Sequence, residues 1–325
     1  MALRGHPLFS VRGHCIRGHS IRGHSMKGTE KKPWGMIFLF IGPVTLFYVA
    51  FIIYPLIQTV LNGFLEIYPG ITGLRIQFVG LKNFKLLLAD EIFHKAVVNT
   101  LIWATVGPAL EMFVATFLAL IVYFKVPWSS FYRVAWFSPM LVTGVIVGLI
   151  FKWVFNADWG LVNTLLRTIG LGALAVNWLG NLHTPLWVVI VVHFWNTFGY
   201  SFVILLAGLS AVPEELKESA SLDGANRWTL CTKILLPIIF PVFSTTLMLS
   251  FLGKMRAFHV VWVLTEGGPM HASETVATYI QKRAFQWGTL DLGYPSAIAV
   301  VWFIVVVVGV YFIQQWVRKK VEQYA

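Results

Sequence analysis

Residues 295–317 read P-S-A-I-A-V-V-W-F-I-V-V-V-V-G-V-Y-F-I-Q-Q-W-V and are followed at once by Arg318-Lys319-Lys320. No charge interrupts the run, and it exceeds the roughly 20 helical residues that cross a hydrocarbon core of about 30 Å. Working back along the chain, comparable apolar stretches lie at about 35–61, 97–122, 134–155, 186–210 and 237–264. Six such stretches predict an all-α integral membrane protein with six transmembrane helices and both termini on one side. Composition agrees, since 57% of the 325 residues are hydrophobic and 12% are charged, against about a quarter charged in soluble domains. Lipid is the solvent that can leave so much apolar surface uncovered.

Charge assigns the side. The segment before the first stretch carries Arg4, Arg12, Arg17, Arg22, Lys27, Lys31 and Lys32; the 2–3, 4–5 and C-terminal segments bring the total to fifteen Lys and Arg, against seven in the opposite loops. The excess places both termini in the cytoplasm, and it persists if the first four Arg are removed. The net charge of +11 is therefore read as this asymmetry rather than as a nucleic-acid footprint. Cys15 and Cys231 both fall on the cytoplasmic side, where a structural disulfide is not expected.

Residues 1–33 form a basic N-terminal tail. It repeats Arg-Gly-His at 4–6, 12–14, 17–19 and 22–24, a polar Gly-rich pattern that predicts disorder. Its histidines could bind a metal, but a flexible tail offers no preformed site. Met26 opens a second plausible start, so residues 1–25 are also readable as an extension. Residues 34–318 form the transmembrane domain and 319–325 a short cytoplasmic tail. The loops at about 62–96, 156–185 and 265–294 face outward. They are longer than plain connections need, and the first holds a short helix near 83–89.

Between stretches four and five, residues 210–241 read S-A-V-P-E-E-L-K-E-S-A-S-L-D-G-A-N-R-W-T-L-C-T-K-I-L-L-P-I-I-F-P. Pro213 suits the first position of a helix, and Glu214 and Glu215 complement its positive end. Leu216, Ala220 and Leu222 fall roughly on one face. Gly224 can take the left-handed turn that ends a helix, and a second helix near 226–236 runs to Pro237. A short cytoplasmic helix here suits docking into a groove on a soluble partner; an ordinary amphipathic interfacial loop fits the same pattern.

This stretch resembles the EAA loop of ABC importer permeases: Glu218-Ser219-Ala220, three residues, Gly224, nine residues, then Ile234, Leu236 and Pro237. Ser219 stands where the family's middle Ala is. The likeness runs over roughly residues 33–318 and is nearest to maltose-permease-like carbohydrate subunits. Phe78–Phe84, Asn99-Thr100, Trp153, Phe155, Gly160, Asn163, Leu264–Pro269 and Gly293-Tyr294 with Ser296-Ala297 all resemble that family's segments. The resemblance implies pairing with a second homologous permease subunit and docking of two ATP-binding subunits on Glu214, Glu215, Glu218, Ser219, Ala220, Asp223 and Gly224. It further implies substrate delivery by a periplasmic or lipid-anchored solute-binding protein in a bacterial inner membrane. There is no G-x-x-x-x-G-K-[ST] loop, so ATP hydrolysis is expected on a separate subunit. No HExxH or GxSxG pattern is present, and no cofactor, metal site or nucleic acid is expected.

Charges at membrane depth mark functional sites by default. Glu111, Lys152, Lys254, Arg256 and His259 are the candidates. Lys152 can snorkel to the interface, and Glu111 can pair with a cation. Lys254 and Arg256 do not share a helix face, so at least one is expected to face the pathway. With His259 they suit an anionic or strongly hydrogen-bonding substrate, such as an acidic, alginate-like oligosaccharide. Trp195, Asn196 and Tyr200 resemble a sugar-lining set, although a packed helix interface also uses such residues. A self-sufficient secondary transporter or channel is the alternative; those often show inverted repeats and paired intramembrane acids, and the chain has one intramembrane acid and no visible repeat.

Overall fold

A computed structural model describes residues 34–70, 73–124, 126–286 and 291–324. The basic tail, with its Arg-Gly-His repeats and Met26, lies outside the described residues. By its contacts the chain divides into two units, one ending at Ile52 and the second beginning at Ile53. In the first unit, helix Trp34–Tyr48 passes into a π-helical turn at Val49–Ile53. Phe38, Leu39, Phe40, Val44 and Leu46 are exposed, and Phe47 stacks on Phe51 with ring centroids 5.9 Å apart. That is the surface of a helix solvated by lipid or by another protein chain.

Helix Tyr54–Asn62 opens the second unit and completes the apolar helical stretch Phe38–Asn62. Helices Glu91–Tyr123, Pro185–Ser210 and Gly293–Lys320 are also long and apolar enough to cross a membrane unaided. The remaining two predicted spans are broken. Ser129–Leu141 meets Gly144–Val154 at 96°, and Arg227–Ile238 meets Phe240–Met255 at 66°. Counting each bent pair as one span gives the expected six.

Two boundaries differ from expectation for one physical reason. A helix that ends at membrane depth frees backbone carbonyls that lipid cannot satisfy, so neighbouring side chains must do so. In the third span the Asn196 amide donates to the carbonyls of Pro139 (2.7 Å) and Val142 (3.2 Å). In the fifth, expected to be unbroken over 237–264, the helix stops at Met255, whose carbonyl accepts from Trp302 Nε1 at 3.1 Å. A separate helix, His259–Thr265, follows. The last helix in turn runs on to Tyr324, so residues 319–324, expected as a short tail, are helical.

The loop after span one adds an antiparallel hairpin, β1 (Leu65–Gly70) and β2 (Gly73–Phe78), with Leu65 opposite Phe78 and Ile67 opposite Ile76. The helix expected near 83–89 is Lys82–Leu88. Its Asn83 amide donates to the carbonyls of Gly63 and Leu65, which holds the hairpin to the bundle.

Packing centres on span two. Ala96, Ala104, Ala115 and Ala119 are all buried on it, and such small residues let backbones approach where lipid supplies no hydrophobic drive between helices. Towards one end, Phe93, Ala104, Phe251, Tyr279 and Trp302 form a cluster; towards the other, Met112, Ala119, Phe202, Leu209 and Leu235 form another. Span four needs glycine at position 199. A Cβ there would lie 2.0 Å from the Trp136 carbonyl oxygen, so the broken third span can come this close only to a residue without a side chain.

Candidate functional site

The 210–241 loop folds as a helix, a glycine turn and a second helix. The first helix is Glu214–Leu222, with Pro213 just before it. Gly224 has φ +79° and ends it as expected, with the Ala225 N–H donating to the Ala220 carbonyl at 2.9 Å. Asn226 then caps the next helix by accepting from Thr229 N at 2.8 Å. Lys217 pairs with Glu214 and lies 5.2 Å from the Tyr123 ring centroid. The Glu214 carboxylate beside it, with Tyr123 next, holds the Lys217 ammonium above its ordinary range.

Glu214, Glu215, Glu218, Ser219, Asp223 and Gly224 are exposed, whereas Ala220 is buried. The expected single apolar face is thereby corrected. Leu222 is 89% exposed, because two residues from Ala220 is more than half a turn of helix. Trp228, at 76% exposure, projects from the second helix. The loop thus presents carboxylates interleaved with two large apolar side chains, a composition suited to docking rather than to lying against its own bundle.

Inside the bundle, the charged residues gather on one point. Glu111 of span two and Lys254 of span five form an ion pair, with side chains 2% and 3% exposed. Ser201 of span four donates to Glu111 Oε1 at 2.5 Å. Ser250 of span five donates to Oε2 at 2.9 Å and accepts from Lys254 at 2.9 Å. Thr197 also contacts Oε2, at 3.3 Å. A lone charge at mid-helix costs about 2.5–3.5 kcal/mol by insertion measurements. Here each charge faces its counterpart, with hydroxyls of Ser201, Ser250 and Thr197 on Glu111 and that of Ser250 on Lys254.

The loop after span five holds a second buried carboxylate. Glu274, fully buried, accepts from Thr278 Oγ1 (2.6 Å) and Lys282 Nζ (2.5 Å) and pairs with His271 Nδ1 (2.8 Å). Asn99 of span two donates to the carbonyls of His271, Ala272 and Glu274. Nearby, Asp90 caps span two, accepts from the hydroxyls of Tyr279 and Tyr294, and lies 3.8 Å from Arg283. Burial alone would push the Asp90 carboxyl up; the two tyrosines, the Phe93 N–H and Arg283 outweigh it and hold Asp90 below the usual carboxylate range.

The expected substrate set is divided by the structure. Trp195, Tyr200, Arg256 and His259 are exposed. Lys254 and Asn196 are buried, the first bound to Glu111 and the second to the broken third span, so their polar atoms are engaged within the protein. Sequence reasoning singled out Glu111 and Lys254 separately. It missed Ser201, Ser250 and Thr197, whose only signal is a hydroxyl one helical turn from another polar position. Among the described residues no group of three His, Cys, Asp or Glu is placed to hold a metal ion.

Comparison with known proteins gives a consistent picture. Residues 111–323 match the family model of the binding-protein-dependent transport system inner membrane component. The chain is 32% identical to the probable ABC transporter permease protein YurN of Bacillus subtilis over 272 residues, covering 82% of this chain and 91% of that one. It is 31% identical to the arabinooligosaccharides transport system permease protein AraP of the same organism, covering 83% and 85%. Among solved structures, a chain of a bacterial alginate ABC transporter in complex with an alginate pentasaccharide-bound periplasmic protein superposes with a TM-score of 0.77 at 22% identity, covering 88% of this chain and 95% of that one. With a family match that takes in the buried Glu111–Lys254 pair and the whole 210–241 loop, this chain belongs to the binding-protein-dependent transport system inner membrane component family.

Proposed function

We propose that the chain is one permease subunit of an ATP-driven, binding-protein-dependent importer for sugars or oligosaccharides, and that it forms half of a translocation pore. The observation that carries this reading is the exposed Glu214–Leu222 helix with its left-handed Gly224 turn, which joins spans four and five and bears the EAA spacing. In this reading two ATP-binding subunits dock on Glu214, Glu215, Glu218, Ser219, Ala220, Asp223 and Gly224, with Leu222 and Trp228 supplying apolar anchors. ATP hydrolysis resides on those subunits. A second homologous permease completes the pore, and a periplasmic or lipid-anchored solute-binding protein meets the outward loops. The excess of Lys and Arg favours both termini in the cytoplasm of a bacterial cell with the bundle in its inner membrane.

The sugar class follows the likeness to AraP, a permease for arabinooligosaccharides by its name. For the substrate contacts we take the exposed Trp195, Tyr200, Arg256 and His259, with Lys254 and Asn196 framing them. An acidic, alginate-like oligosaccharide is the narrower version, and it stands on Arg256 and His259 because the Lys254 charge is neutralised by Glu111.

A pull-down of the detergent-solubilised chain tests the core of the proposal. Wild type is expected to recover an ATPase and a second permease. The double variant Glu218→Lys with Gly224→Pro is expected to lose the ATPase and keep the permease. Transport by the purified chain alone, in vesicles without ATP, would replace this reading with a secondary transporter.

A further inference from the structure

Spans four and five are the two that the 210–241 loop joins, and both bond to the same carboxylate on span two. Span four reaches Glu111 Oε1 through Ser201; span five reaches Oε2 through Ser250 and Lys254. The donors are 90, 139 and 143 residues from Glu111 in sequence, so no local turn enforces the meeting. Lys254 lies in the last turn of Phe240–Met255, immediately before the helix breaks. A helix that ends within the bundle is the element most free to slip, and the ion pair holds that end.

We propose that Glu111 is a positioning residue, a clamp that makes spans two, four and five one rigid body, so that displacement of the 210–241 loop moves all three together. Its charge at membrane depth then serves transmission of movement and not substrate contact. Apart from this cluster, spans four and five meet through small and apolar contacts, such as Gly208 against Val242 nearer the loop. Such surfaces can slide, whereas a buried ion pair resists separation in a low-dielectric interior. This inference rests on the importer reading above, and the experiment separates the two.

Spin labels at Leu222 and Leu88, both strongly exposed, report the distance from the loop to the residues just before span two. They are placed with Cys15 and Cys231 replaced by serine, in the complete complex with its ATPase, in nanodiscs, with and without ATP and vanadate. The wild-type clamp is expected to give one narrow distance, the same in both states, while ATP hydrolysis by the same sample shows that the complex cycles. Glu111→Gln combined with Lys254→Met removes both charges without stranding either, so it keeps the fold where Glu111→Gln alone could lose it. That double variant is expected to lose the narrow peak when ATP and vanadate are added. Lys254→Arg, which keeps both charges, is expected to retain it. A wild-type distance that changes between states, a double variant with the same unchanging narrow peak, or a Lys254→Arg protein as broad as the double variant would each overturn the clamp. Failure of any ATPase to join the complex would instead overturn the importer reading.

Discussion

Two buried carboxylates, Glu111 and Glu274, make opposite uses of the same chemistry. Glu274 binds partners three, four and eight residues away, in the loop after span five and the helix that follows it. Glu111 binds partners 86 to 143 residues away, on two other spans. A short-range hub closes small loops at little entropic cost and stiffens what was already adjacent. A long-range hub joins elements that chain connectivity leaves independent, so its loss frees large bodies instead of loosening one loop. Two partners of Glu274 are partly exposed, His271 at 28% and Lys282 at 12%, so water can replace a lost bond there; Glu111 and Lys254 are 2% and 3% exposed and enclosed by spans two, four and five.

The strongest way to break that contrast is Glu111→Gln alone. It strands the Lys254 ammonium inside the bundle, a loss of about 3–5 kcal/mol, and should lower the melting temperature in detergent sharply; the further change Lys254→Met should recover most of it. Next comes Glu274→Gln, which weakens charge-assisted bonds to Lys282 and His271 by about 1.5–3 kcal/mol. Its expected signature is faster hydrogen exchange confined to residues 265–286, with the melting temperature nearly unchanged. A global drop as large as that of Glu111→Gln would erase the distinction between the hubs. Asn99→Ala sharpens it, because Asn99 carries the outer loop's bonds to span two. A loss of about 1 kcal/mol should again appear as exchange in the 271–275 backbone alone.

The smallest effect concerns pH. Asp90 is held below its unfolded value near 3.8, so its contribution is fully present above that value and is lost as pH falls through the lower folded one. Exchange at the start of span two, corrected for the intrinsic rate, should therefore stay level from about pH 5 to 8 and rise only in stronger acid. A rise already at pH 6 would show that a group other than Asp90 holds this end of span two.

Much of this was legible in the residues. The uninterrupted run at 295–317 and its five counterparts carry the membrane reading because hydropathy needs no tertiary context. The 210–241 loop was legible down to its glycine turn, since Pro213, the first-turn acids and Gly224 act locally. Legibility failed where a distant partner decides. Nothing near Met255 in sequence says that the helix stops there, because the donor that permits it is Trp302; nothing near Pro139 announces Asn196. The pairing of Lys254 with Glu111 was hidden for the same reason, since the two are 143 residues apart. The hairpin at 65–78 escaped notice because its strands are short and its alternation is weak beside the apolar runs.

The break in the third span has a consequence for how the protein is made. Its Gly144–Val154 arm has 11 residues, about 16 Å of helix and well short of a bilayer. The carbonyls of Pro139 and Val142 at the bend both accept from the Asn196 amide, which is synthesised some fifty residues later. The bend is therefore expected to settle only once span four is in place, which ties insertion of the third segment to that of its successor.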